Sequence, residues 1–288
     1  MATLEQWVAG ARPRTLPAAI VPVAVASAAA QAHLSFSGPR AFLALVVSLA
    51  LQIGTNFAND YSDGRRGTDN NRVGPVRLTA ARLAPPRAVL MVGLSFFLIA
   101  AIAGFILAAI TNWMLLLGGG LALLAGWFYT GGSKPYGYYG FGEIFVFLFF
   151  GLFAVIGTYY VQVHSVGPIA YLIALPVGCL AVALLVINNL RDIASDDLAG
   201  KRTLAVRIGD QKSRWLYQFL IVLAVLSLFP IAFIRPFALV GFISIVLAFR
   251  PVQSVRSGSV GADLVKVLGE TGRLQMVFGL TLSIGLLL

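Results

Sequence analysis

Apolar residues run along this chain in blocks too long for the core of a water-soluble domain. Blocks at about 16–33, 41–58, 88–110, 113–130, 142–162, 168–188, 215–234, 236–249 and 274–288 carry almost no charge. Uncharged stretches of roughly 18 residues or more read as membrane-spanning helices. The eighth and ninth blocks are short. Residues 215–249 are too long for one ordinary span, however, and Arg235-Pro236 breaks them as a tight turn would. The pattern predicts an all-α integral membrane protein of about nine transmembrane helices, with residues 1–288 forming one polytopic domain.

The polar segments between the blocks alternate in length. Residues 34–40, 111–112, 163–167 and 235–236 are short, whereas 59–87, 131–141, 189–214 and 250–273 are long. With the N-terminus in the cytoplasm, every long segment falls inside. So does every Lys and Arg except Arg40 and Arg235. This is the asymmetry that the positive-inside rule describes. All 11 Asp and Glu residues fall on the same side. The chemistry is therefore expected at the cytoplasmic face of a cell membrane, and His33 and His164 on the other face are expected to be irrelevant to it.

Composition agrees: 59% of the chain is hydrophobic and 11% charged, against roughly 25% charged in a typical soluble domain. The net charge of +10 comes with no basic run interleaved with aromatics. It indicates basic loops beside a lipid bilayer and no nucleic-acid partner. A single cysteine, Cys179, rules out a disulfide framework. Arg12 and Arg14, an apolar run and Ala26-Ser27-Ala28-Ala29 imitate a cleavable signal peptide. The topology works with that segment retained, and retention is the expectation.

Two clusters carry the candidate chemistry. At the end of the second block, Asn56, Asn59, Asp60 and Asp63 recur at helical spacing. At the end of the sixth, Asn188, Asp192 and Asp196 do the same. Negative charge at the C-terminal end of a helix opposes the helix dipole, so capping does not account for these stripes. Hard oxygen ligands on two facing helix ends suit Mg²⁺, which combines carboxylates with phosphate oxygens. The two clusters are therefore read as a site for Mg²⁺ and a lipid diphosphate. Arg65, Arg66, Lys134, Arg191, Lys201 and Arg202 are candidate phosphate-binding cations. The segment from Tyr129 to Glu143, with Tyr136, Tyr138, Tyr139 and repeated glycines round Lys134, reads as an ordered lid.

At this point the chain resembles the intramembrane aromatic prenyltransferases of the UbiA superfamily, and within it the 1,4-dihydroxy-2-naphthoate branch of menaquinone synthesis. The resemblance rests on Trp7…Arg12-Pro13-Arg14-Thr15-Leu16-Pro17, Asn59-Asp60-Tyr61-Ser62-Asp63, the tyrosine and glycine loop ending Gly142-Glu143, and Asn188-Asn189-Leu190-Arg191-Asp192…Asp196…Gly200-Lys201-Arg202-Thr203-Leu204. It implies a ring of nine helices round a central cavity. It further implies that Asn59, Asp60, Asp63, Asp192 and Asp196 hold Mg²⁺ and a polyprenyl diphosphate, with Lys134 assisting the leaving group and Tyr129 nearby. The acceptor would be 1,4-dihydroxy-2-naphthoate, losing CO₂. A basic or tyrosine group from the Arg12-Pro13-Arg14 opening or the tyrosine loop would hold it, with Arg14 and Tyr139 as candidates. Two departures stand out. Gly67 occupies the position of a further family aspartate, leaving Asp69 as the next acid, and the Tyr129-to-Lys134 spacing is one residue longer than the general pattern.

Other readings are another aromatic acceptor such as 4-hydroxybenzoate, a CDP-alcohol phosphotransferase and a transporter. Asp60-x-x-Asp63-Gly64 matches only the start of the phosphotransferase signature. Acids confined to one interface disfavour alternating access.

Overall fold

The computed structural model describes residues 2–69 and 74–288, and every regular element among them is helical. In chain order α1 is Leu4–Gly10, α2 Pro17–Gln31, α3 Gly38–Arg66, α4 Pro86–Ala109 and α5 Leu115–Phe128. Helix α6 spans Gly142–Val163, α7 Pro168–Leu198, α8 Leu204–Ile208, α9 Asp210–Ala232, α10 Pro236–Arg256 and α11 Ala262–Leu287. Among the described residues, helices α3, α4, α6, α7, α9 and α10 are long and apolar enough to cross a membrane, six in all, or seven if the bent pair of α1 and α2 is one span. Helix α5 is apolar but short, and α11 carries Asp263, Lys266, Glu270 and Arg273 in its first half. By length and composition, the expected count of nine spans is therefore not reached.

The break at Arg235-Pro236 is present. The Arg235 N–H still bonds back to Ile231 O, and α10 starts at Pro236, where a missing N–H costs nothing. At the other terminus, α1 and its following 3-10 turn meet α2 at 51°. Arg12 takes a left-handed conformation there, φ +54, an uncommon one for a residue with a Cβ.

Helix α7 is the axis of the bundle. Of its most apolar stretch 78% is buried, against 28% to 39% in the other five long helices. An all-round apolar helix must be enclosed, and small residues let its neighbours close on it. Gly178 of α7 faces Gly151 of α6, where an added Cβ on Gly151 would lie 2.8 Å from the Gly178 Cα. Facing glycines therefore set the distance between these helices. Both α3 and α7 run past their apolar blocks, to Arg66 and Leu198. Backbone hydrogen bonding within a helix is local, so the polar motifs simply continue the turn. Helix α3 ends at Gly67, whose φ of +76 suits a residue without a Cβ.

The short connections gather at one end. Arg40 Nη1 lies 2.7 Å from His164 Nε2 and Arg40 Nη2 donates to Ile110 O at 3.2 Å. Arg235 Nη2 donates to Ala32 O at 2.6 Å. The long polar segments meet at the opposite end, as the alternation predicts.

Candidate active site

A cavity of about 920 Å³ lies between α3, α4, α5 and α6 with α7 behind it. Its length is walled by apolar side chains such as Leu123, Phe149, Phe153 and Leu184. Its polar end holds Arg12, Asn56, Asn59, Asp63, Asp69, Arg77, Tyr129, Asn188, Asn189, Asp192 and Lys201.

Lys201 joins the two aspartate segments. Its Nζ is 3.4 Å from Asp63 Oδ2 on α3 and 3.6 Å from Asp196 Oδ1 on α7. All three groups are largely withdrawn from solvent, where unpaired charge is costly. Burial alone would push the Lys201 ammonium toward neutrality, but Asp63 and Asp196 outweigh it and hold its pKa above the ordinary lysine value. Asp63 has a second partner, because Tyr138 Oη donates to its Oδ1 at 2.9 Å. Burial, and then the Asp63 carboxylate, raise the Tyr138 hydroxyl to about 12, so it remains a donor. The Tyr138 ring also lies under two cations, Arg66 Cζ at 5.2 Å and Lys201 Nζ at 5.3 Å. The Tyr138 carbonyl accepts from the Arg202 N–H at 3.1 Å. The loop between α5 and α6 is thereby fastened to the end of α3 and to the segment that follows α7.

The second segment is organised by Arg191. Its Nε and Nη2 donate to the two oxygens of Asp192 at 2.7 and 2.6 Å, and Nη2 also reaches Asn188 Oδ1 at 2.9 Å. Bidentate pairing of this kind fixes both position and plane. In the first segment, Thr130 Oγ1 donates to Asn59 Oδ1 at 2.6 Å. Asn56 Nδ2 reaches Ala11 O at 2.9 Å and Thr15 Oγ1 at 3.2 Å. Arg66 donates to Thr130 O and Gly132 O, and Asp69 lies 3.4 Å from Arg77.

Several expected site residues stand elsewhere. Asp60, fully buried, does not line the cavity. Its Oδ2 and Oδ1 accept from the backbone N–H groups of Leu78 and Thr79, each at 2.9 Å. Its position, 100° round the helix from Asn59, turns it toward that segment. Lys134 and Tyr139 are exposed and outside the cavity wall, whereas Lys201 lines the cavity and Tyr138 bonds to Asp63. Arg14 bonds to Val265 O at 3.4 Å, whereas Arg12 lines the cavity. Arg65 packs over the Tyr61 ring, and Arg202 pairs with Asp197 at 3.2 Å on the surface. Reading the sequence missed Thr130 and Arg77, the bond of the lid's Tyr138 to Asp63, and the pairing of Asn189 with Glu143. Their types are ordinary in an interfacial loop, and only the packing singles them out.

The donor set suits a hard cation. Asn59, Asp63, Asn188 and Asp192 line one polar pole, and Mg²⁺ is commonly held by one or two carboxylates plus phosphate oxygens. Among the described residues no three Asp, Glu, His or Cys converge into a cage.

Residues 19–263 match the UbiA prenyltransferase family. The chain belongs to that family. It is 47% identical, over 98% of its length and 97% of the relative's, to the 1,4-dihydroxy-2-naphthoate octaprenyltransferase of Mycobacterium tuberculosis. A UbiA homolog from Aeropyrum pernix superimposes with a TM-score of 0.71 at 15% identity, covering 93% of this chain and 96% of that one. A UbiA homolog from Archaeoglobus fulgidus bound to GPP and Mg²⁺ does so with a TM-score of 0.64 at 14% identity, covering 97% and 99%. Family membership and the long apolar helices make this a multi-pass membrane protein with the UbiA-like helical fold.

Proposed function

We propose that this protein is a 1,4-dihydroxy-2-naphthoate polyprenyltransferase of menaquinone synthesis. It transfers a polyprenyl group from its diphosphate and releases diphosphate and CO₂. The observation that carries the reading is the convergence of Asp63 and Asp196, 133 positions apart, on Lys201 at the mouth of an apolar cavity. The identity, over nearly the whole chain, to a relative named 1,4-dihydroxy-2-naphthoate octaprenyltransferase supports the choice of acceptor. The nine-helix ring, the cell-membrane location and the cytoplasmic orientation of the site belong to the same proposal.

Asn59, Asp63, Asp192 and Asp196 would hold Mg²⁺ together with the diphosphate. Bound there, Mg²⁺ would neutralise diphosphate charge and make it a better leaving group. Lys201 is placed to stabilise the departing diphosphate, with Tyr138 fixing Asp63 beside it. The cavity wall around Phe149, Phe153 and Leu184 excludes water from the cation-like allylic carbon and gives the prenyl chain an apolar bed. Arg12, the cation of the N-terminal opening that faces the cavity, would hold the acceptor carboxylate.

Purified protein with Mg²⁺, a polyprenyl diphosphate and dihydroxynaphthoate labelled with ¹³C in its carboxylate should release labelled CO₂ and form the prenylated product, read by mass spectrometry. EDTA should stop turnover and Mg²⁺ restore it. Faster prenylation of 4-hydroxybenzoate, with no labelled CO₂ from the naphthoate, would move the protein to another acceptor class.

A further inference from the structure

Glu143, the second residue of α6, is buried at 6% exposure. One carboxylate oxygen, Oε1, accepts from Asn189 Nδ2 at 2.9 Å, while Oε2 is buried with no hydrogen-bond partner among the described residues. Such exceptions are rare in folded proteins and call for an explanation. Asn189 lines the cavity and Glu143 does not. With its NH₂ donated to Glu143, Asn189 keeps its amide oxygen as the atom it can offer a ligand as an acceptor. Asn189 precedes Asp192 by three residues, one turn along the same face of α7. A ring docked on that oxygen therefore lies within a helical turn of the diphosphate pole. Tyr129 shares this wall. A Cβ on Gly142 would stand 3.5 Å from its hydroxyl.

We infer that Asn189 accepts a hydrogen bond from a ring hydroxyl of the aromatic co-substrate, and that Glu143 is the positioning residue turning its amide oxygen inward. The inference rests on reading the site as an aromatic prenyltransferase. A hydroxyl donating to Asn189 keeps more electron density on its oxygen and so on the ring carbons ortho to it. It also gives the site a means of rejecting rings without that hydroxyl, since Asn189 would then be left unpaired.

The test uses the full chain in detergent or nanodiscs. It measures kcat and KM for each substrate, and acceptor binding by tryptophan quenching, for wild type, Asn189→Ala, Glu143→Gln and the double variant Glu143→Gln/Asn189→Asp. Asn189→Ala should lower kcat/KM for the acceptor on the order of 10- to 100-fold and leave the KM for prenyl diphosphate unchanged. It should also lose the preference for a free hydroxyl over its methyl ether. Glu143→Gln should lose less, because a glutamine can donate and lets Asn189 flip. The double variant should recover toward wild type, since a carboxylate at position 189 presents an oxygen in either orientation. Equal shifts in both substrates' KM, or a double variant no better than Glu143→Gln, would overturn the inference, and so would a wild type that binds no hydroxyaromatic ring. A wild type that binds the ring in an Asn189-dependent way but transfers no prenyl group would sink the proposed function and leave standing only the contact between Asn189 and the ring hydroxyl.

Discussion

Helix α3 ends in Asn59-Asp60-Tyr61-Ser62-Asp63 and α7 in Asn188-Asn189-Leu190-Arg191-Asp192 with Asp196 one turn on. As strings the two ends look equivalent, but the fold uses them differently. On α3 one carboxylate, Asp60, is taken up by the backbone of Leu78 and Thr79, and Asp63 alone reaches the cavity pole. On α7 Asp192 is clasped by the neighbouring Arg191 and still lines the cavity. Asp196 goes to Lys201 from the following segment. Helix α3 lies at the side of the bundle and has a polar loop to fasten, whereas α7 is enclosed and must neutralise its charges on the spot. Equal motifs in unequal surroundings therefore acquire unequal roles, because a buried carboxylate takes whichever donors the packing supplies.

The largest expected effect follows from the pair that meets across the cavity. Asp63→Asn and Asp196→Asn should each lower turnover by about 10²–10³-fold or more, measured as prenyl transfer at saturating substrate. Near-normal activity in either variant would remove the shared pole. Lys201→Met should come next. It leaves Asp63 and Asp196 facing each other without their common cation, a loss of about 3–5 kcal/mol. That loss should appear as a lowered thermal midpoint together with impaired turnover.

Asp60→Asn sharpens the comparison in the other direction. An amide in place of the carboxylate weakens two charge-assisted hydrogen bonds and places an NH₂ against a backbone N–H, a cost of about 1.5–3 kcal/mol. Thermal stability should fall while the folded fraction keeps most of its kcat. A kcat loss matching that of Asp63→Asn would return Asp60 to the site. The smallest effects belong to the exposed lid residues. Lys134→Ala and Tyr139→Phe should stay within about 0.5 kcal/mol in stability and within roughly twofold in kcat/KM.

Much of this architecture was legible in the chain itself. The helical class, the break at Arg235-Pro236 and the gathering of long polar segments at one end follow from the apolar blocks, because the bilayer demands local backbone hydrogen bonding and a minimum apolar length, whereas the number of spans and several helix ends do not. The helical spacing of Asn188, Asp192 and Asp196 likewise placed that set on one face, whereas of Asn56, Asn59, Asp60 and Asp63 the structure turns Asp60 away from the cavity. What the chain could not decide was which polar group meets which. Tyr138 and Tyr139 are neighbours of identical chemistry, yet only Tyr138 turns inward to Asp63. Lys134 and Lys201 carry the same charge, and only Lys201 is delivered between the aspartates, by the connection from α7 to α8. Glu143 acquired its partner Asn189 because α6 packs against α7 through Gly151 and Gly178. Such pairings depend on the rotation and depth of packed helices, which are set by long-range contacts between side chains and leave no periodic trace along the sequence.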